Sequence, residues 1–436
     1  MNTFTFQTSQ RNFCYALIAI GLLSMGLTFI GDDAYHSRFW SNFLLNSTFF
    51  TGMSFVALFV IAAFMLAYAG WYVQFKRVWE SMYQFLPVGL ILMLVIAGGL
   101  FMGYHHLYEW NDSAIVAEDV ILQGKASFLN KYWYTFGTLL IVGSWFFLFG
   151  RPLRKLSLAE DREGTTDFRH HRKMKVYAAV FLPVAGFTSA AMIWQWVMSL
   201  DPHWYSTLFA WYATASMFVA MMSLTVMLLY YLKGLGYFPT VTKEHMHDIG
   251  KYVFAFSVFW TYLWFSQYML IWYANVGEET VYFKERLNEY PVLFYGNLII
   301  NFILPFFILM RNDTKRKQGS LIFVAGVLFL GHWFDFFQMV KPGVAKYAAH
   351  LSHMGHGGDH GHTAEGAAHA ASTAAGFVYP GLLDVGTMLG FLGIFLLVFF
   401  RSLAKAPLIP ARDPYIQESL HHVVWYDDDA EASVAH

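Results

Sequence analysis

Charge is scarce in this sequence. Asp, Glu, Lys and Arg make up 13% of its 436 residues, about half the share of an ordinary soluble chain, roughly 25%. So little charge cannot cover the surface of a soluble protein this long, which argues against a large soluble enzyme and against a disordered chain. A net charge of −1 leaves no basic field for a nucleic acid. Cysteine is nearly absent too. Cys14 stands alone inside an apolar run, so no disulfide, Fe–S cluster or thiolate zinc site forms within the chain. Cys-x-x-Cys-His is missing, which excludes an attached c-type haem; a haem held through His stays open.

What is present is apolar: 57% of residues are hydrophobic and 19% aromatic. A bilayer-crossing helix needs about 20 mostly apolar residues. Ten such runs are found, at about 12–30, 46–71, 83–105, 131–150, 176–198, 205–231, 252–274, 292–310, 319–340 and 377–400. The first has no small-residue cleavage site after it and reads as a retained helix. Of the 28 Lys and Arg residues, 21 fall on alternate flanks: at Arg11, Lys76, Arg77, between 151 and 175, and around the even-numbered turns that follow. By the positive-inside rule that face is cytoplasmic, with both termini on it. The expectation is therefore an all-α integral membrane protein of ten helices forming a single polytopic domain. An outward loop at 341–376 is rich in His, Ala and Gly. A polar cytoplasmic tail covers 407–436 and carries an acidic patch at Asp427, Asp428 and Asp429. Residues 115–122 read as a short interfacial helix. A faint repeat sets Gln195 seven residues before Pro202 and Asp335 seven before Pro342, which fits two four-helix bundles of like orientation, with chance similarity the alternative.

Ionisable groups inside a bilayer are costly and point to function. His332 and Asp335 lie about 18 and 22 Å along the ninth span at 1.5 Å per residue. They are i and i+3, on one face. The third span ends at His105 and His106. The fifth leads into Asp201-Pro202-His203-Trp204, and Asp384 sits just inside the tenth. The seventh carries Gln267, Tyr268 and Trp272, then Glu278 and Glu279. All lie toward the outer face. The inner halves show no buried carboxylate, since Glu80 reads as an interfacial partner of Lys76 and Arg77. An outward polar site roofed by aromatics suits a lipid-soluble quinol: the ring needs an apolar pocket, and its hydroxyls need His, Asp or Glu as proton acceptors. The candidate catalytic residues are His105, His106, Asp201, His332 and Asp335, with Gln267, Tyr268, Trp272 and Glu278 as candidate binding residues. Other readings remain. His105 and His106 suit headgroup contacts, His332 and Asp335 a packing pair, and Glu278 and Glu279 plain loop charges. The Trp residues suit an interface belt, and Gln267 and Asn301 interhelical bonds. A haem b between His105 or His106 and His332 is allowed by depth. The His residues at 350, 353, 356, 360, 362 and 369 suit weak metal binding, although no defined metal site is assigned. An unrelated multi-span transporter is the third alternative.

The run Phe265-Ser266-Gln267-Tyr268-Met269-Leu270-Ile271-Trp272-Tyr273-Ala274-Asn275, followed by Glu278-Glu279-Thr280, resembles the integral subunits of bacterial alternative complex III, a quinol:cytochrome c (or quinol:oxidase) oxidoreductase. The chain looks like the second of that complex's two NrfD-like, polysulfide-reductase-type membrane subunits. Residues 196–207 and 331–338 fit the same family, and the likeness extends from the second span to the tenth. The resemblance implies ten spans as two four-helix bundles plus two peripheral helices, in a bacterial inner membrane. It implies menaquinol as the reductant, a sibling NrfD-like subunit, an Fe–S subunit, multihaem cytochromes c and smaller membrane subunits as partners, and a terminal oxidase as a further candidate partner. It also implies that this chain has no redox centre of its own. The sibling is then the better candidate for the working quinol site, and this chain serves in quinone binding, proton conduction or scaffolding.

Overall fold

The structure, a computed structural model, describes residues 3–163, 167–355 and 376–423. Ten long helices follow in chain order: α1 (Thr8–Ile30), α2 (Ser37–Leu66), α3 (Val73–Met102), α4 (Lys131–Glu163), α5 (Arg169–Trp196), α6 (Thr207–Gly234), α7 (Lys243–Ala274), α8 (Pro291–Leu309), α9 (Gln318–Gly355) and α10 (Leu382–Leu403). Among the described residues, nine of them are long and apolar enough to cross a membrane. The other is α7, which is 32 residues long. Its apolar stretch is built on Trp and Tyr and contains Gln267, groups that lower a mean hydropathy while suiting a helix that packs in a bundle. The chain is thus an all-helical, multi-pass membrane protein.

Local chemistry sets the helix ends. Asn130 caps α4, its side chain accepting from the Trp133 amide at 2.8 Å. Asn275 stops α7 in the left-handed region, at φ 49°. α3 changes from 3₁₀ to α winding at Leu86, where Pro87 enters without an amide donor. α4 does not stop at residue 150. It passes through a π segment, Ser144–Gly150, into Arg151–Glu163, because Leu153, Ser157, Glu160 and Asp161 give that charged stretch a buried side. α9 likewise continues through Pro342.

α2 and α6 are the most enclosed helices. α2 packs on α3, α5, α6 and α9, and α6 on α5, α7 and α9; α4 lies on α3 and α5, and α8 on α7 and α9. α1 is paired with α10 at the side, α10 resting on α2 and α3. That pairing depends on small residues: the backbones of Gly21 and Gly390 touch, Ser24 lies against Gly386, and Leu17 against Gly393. With no hydrophobic force between helices in lipid, such close backbone approach is what holds two of them together.

Polar contacts gather at the two ends. At the basic end, Arg77 pairs with Glu80 and Asp161, and Lys76 reaches Asp413 at 2.5 Å. Arg316 pairs with Glu244 at 2.8 Å. The chain after α10 closes over this end: Gln74 donates to the Ser419 carbonyl at 2.8 Å, and His422 meets Asp248 at 2.6 Å. Thr3 bridges to Pro407, so the two terminal segments meet on the same side. At the opposite end, Arg286 holds Asp201, and His203 holds Asp119 at 2.5 Å. The acidic patch at 427–429 and the His residues from 356 to 369 lie outside the described residues, as do the side chains of 352–355.

Candidate functional site

α9 turns one face into the bundle, with His332, Asp335 and Gln338 at three-residue spacing. His332 and Asp335 are both 0% exposed. Their partners come from α6 and α7. Tyr212 and Ser216, one turn apart on α6, meet them in step: the Tyr212 hydroxyl donates to Asp335 Oδ1, and Ser216 Oγ lies 2.9 Å from His332 Nδ1. Trp260 of α7 donates its indole N–H to Asp335 Oδ2 at 2.8 Å and stands edge-on to the His332 ring, 5.6 Å between centroids. Both carboxyl oxygens are therefore engaged, as a buried carboxyl requires. His332 Nε2 has no partner.

Beside this centre is a crevice of about 10 Å³ lined by Tyr212, Gln267, Tyr282, Arg286 and Gln338 among others. That is roughly the space of one water, and far too little for a quinol ring as the side chains stand. Gln338 Nε2 and Arg286 Nε are buried donors without a partner. Tyr212 both lines the crevice and bonds Asp335, so one hydroxyl connects them.

Arg286, 2% exposed, forms the outer wall. Its guanidinium lies 3.3 Å from the centroid of the Tyr282 ring, which stacks on Trp204 at 3.9 Å; it donates to Asp201 at 3.0 Å and to the Tyr282 carbonyl at 3.1 Å. The pair Tyr282 and Arg286 is i,i+4 on the short helix Gly277–Asn288. Burial pushes the neighbouring Glu285 carboxyl up, against the pull of Arg286. Gln267 donates to Ser206 at 2.7 Å, and Gln338 accepts from Asn297 at 2.7 Å.

Asp201, Gln267, His332 and Asp335 are thus gathered around one locus. The other candidates are not. His105 folds back on its own helix, Nε2 lying 2.9 Å from the Ile96 carbonyl, with its ring on Trp40 at 4.8 Å. His106 packs edge-on against Tyr35 at 4.7 Å. Tyr268 is half-buried between Trp264 and Phe283, whereas Trp272 and Glu278 are exposed.

Tyr212, Ser216 and Arg286 were not singled out from the sequence. Tyr and Ser in an apolar span carry no signal by themselves; the i,i+4 repeat of Tyr282 and Arg286 was the available clue. Of a second buried cluster only Asp384 was singled out, and its partners were missed. Lys341 and Asp384, each 0% exposed, lie 3.7 Å apart, with Arg38 on Asp384 at 2.7 Å, Asn42 on it at 2.6 Å, and Ser41 on Lys341 at 2.9 Å. Opposite charges at matching levels of neighbouring spans were the signal, obscured because Lys341 reads as a flank. One expectation is corrected. Glu80 is 2% exposed, bonded by Arg77 and by Ser157 at 2.7 Å, so the basic end does enclose a carboxylate; the 13-residue helical continuation Arg151–Glu163 supplies the cover.

Among the described residues no group of three or more His, Cys, Asp or Glu is arranged to hold a metal ion. Compared with protein-family models and with curated proteins, the chain matches none.

Proposed function

We propose that this chain is a proton-handling membrane subunit of a quinol oxidoreductase assembly of the alternative complex III kind. The observation that carries this reading is the Tyr212 hydroxyl, shared between a fully buried carboxyl and a crevice with unpartnered donors. Such a hydroxyl passes a proton by rotating, between a water in the crevice and Asp335. His332, with one free ring nitrogen, is a second acceptor on the same face. The resemblance of 265–280 to that family supplies the quinol context, and two further features agree with it. The meeting of Thr3 with Pro407 agrees with an even number of crossings, which supports ten over nine. The helix neighbours group as α2–α5 and α6–α9 with α1 and α10 beside them. In this reading the basic end faces the bacterial cytoplasm, the His332–Asp335 centre exchanges protons toward the outer face, and menaquinol is oxidised on the sibling NrfD-like subunit. Electrons then leave through the Fe–S and multihaem cytochrome partners.

The size of the crevice favours water over quinol here, and the test separates the two. In the assembled complex, Asp335→Asn and Tyr212→Phe are expected to lower the protons released per electron while quinol oxidation continues. If both variants abolish quinol binding and turnover, the centre is a quinol pocket instead. If neither quantity changes, the centre is a packing device and the reading fails. Purification of the chain as an isolated, substrate-binding monomer points to a transporter.

A further inference from the structure

We infer that the cleft between α4 and α5 near the basic end binds an anionic glycerophospholipid. The cleft has a volume of about 390 Å³ and is walled by Phe147, Leu148 and Pro152 on α4 and by Val176, Tyr177 and Val180 on α5. It forms where the π segment Ser144–Gly150 widens α4, a local irregularity that often marks a binding site. It opens sideways, where the bilayer lies: Leu148 is 60% and Val176 65% exposed.

The charge around it decides the occupant. α4 runs toward the basic end and α5 returns from it. One turn beyond Pro152 on α4 comes Lys155, and one turn before Val176 on α5 comes Lys173, each on the face that lines the cleft. Both are exposed. Neither has an ion pair or hydrogen bond among the described residues. Most cations nearby are engaged: Lys76 and Arg77 with carboxylates, Arg154 with the carbonyls of Glu80 and Ser402, and Lys175 over the Tyr68 ring at 3.7 Å. Two ammonium groups without a partner among the described residues thus lie at the headgroup end of an apolar slot that Tyr177 also lines, an amphipathic group suited to the interface. The acyl chain lies along the slot, and the phosphate sits between the lysines. The cleft has no His or carboxylate to accept a quinol's protons, and a neutral lipid would leave both cations unanswered.

Native mass spectrometry of the full-length protein, titrated with phosphatidylglycerol or with phosphatidylcholine of the same acyl chains, tests this. Wild type is expected to retain phosphatidylglycerol selectively. Lys155→Ala with Lys173→Ala should weaken its binding about 25-fold, roughly fivefold or ~1 kcal/mol per lysine, and leave phosphatidylcholine unchanged. Val180→Trp, at a position already open to lipid, should fill the slot and remove the selective site, while Arg311→Ala, a cation away from the cleft, should have no effect. Equal retention of the two lipids by wild type overturns the proposal. So does a double lysine variant that binds phosphatidylglycerol as well as wild type, or binding that Val180→Trp leaves intact, which would be surface charge alone.

Discussion

Asp335 and Asp384 show two ways of keeping a carboxyl group in a bundle. Asp335 is surrounded by neutral donors, the Tyr212 hydroxyl and the Trp260 indole, and among the described residues no cation is bonded to it. A proton can therefore come and go without breaking an ion pair, which is why the proton-handling role is proposed there. Asp384 instead answers two cations, Arg38 and Lys341. Removing Lys341 leaves a balanced Arg38–Asp384 pair; removing the charge of Asp384 leaves the buried Lys341 and the part-buried Arg38 without the carboxylate that bonds both. Asp384→Asn is therefore expected to destabilise by roughly 3–5 kcal/mol, the cost of breaking a buried pair from one side, and Lys341→Met by much less. Thermal unfolding of the two variants in detergent ranks them; equal losses would mean that the three charges do not act together.

At the scale of elements, the α1–α10 pair depends on backbone contact between Gly21 and Gly390. Gly390→Leu forces a side chain into that contact, and a loss of about 1–3 kcal/mol is expected from overpacking, read as a lower midpoint in a thermal scan; Gly26→Leu, where nothing is within reach of an added side chain, should be silent. The cap at the end opposite the basic one is held by charge instead. Asp119 caps the short helix Val120–Lys125, accepting from Ile121 and Leu122 amides at 2.8 and 3.1 Å, and it also holds His203. The hydrogen bond from His203 is the main cause of the lowered Asp119 pKa. A carboxyl lowered in the folded state contributes stability that is present above its unfolded pKa and is lost as pH falls through the folded one. Hydrogen-exchange protection of the 109–125 amides, measured against their intrinsic exchange rates at each pH, is therefore expected to fall as the pH is lowered past the ordinary carboxylate range, and Asp119→Asn should show the reduced protection already at neutral pH. Protection that stays constant across that pH range would remove the carboxylate from the account.

At the scale of the molecule, the paired terminal segments and the two polar ends fix the expected labelling pattern. With Cys14 replaced by Ala, Glu118→Cys and Lys243→Cys each introduce one exposed thiol, at opposite ends of the bundle. A membrane-impermeant maleimide on intact cells is expected to label Glu118→Cys alone, and Lys243→Cys only after permeabilisation. Labelling of Lys243→Cys alone reverses the orientation, and labelling of both from outside contradicts the three crossings, α4 to α6, between the two positions.

The apolar runs and the sorting of Lys and Arg were sufficient, by themselves, for an all-helical, multi-pass membrane protein, because hydrocarbon demands long hydrogen-bonded helices whatever their neighbours are. They also placed His332 and Asp335 on one helix face, since helical spacing is local. Which groups meet that face was a matter of tertiary structure. Tyr212 is 123 residues from Asp335 in sequence, and Arg38 is 346 from Asp384; periodicity gives the side of a helix but not the partner across from it. The same limit explains His105 and Glu80. Each had a plausible place from depth alone, and packing decided otherwise: His105 turned back onto its own helix, and Glu80 became enclosed once the helical end of α4 covered it. Depth is set by the sequence one helix at a time, whereas burial is a property of the helices that close over it.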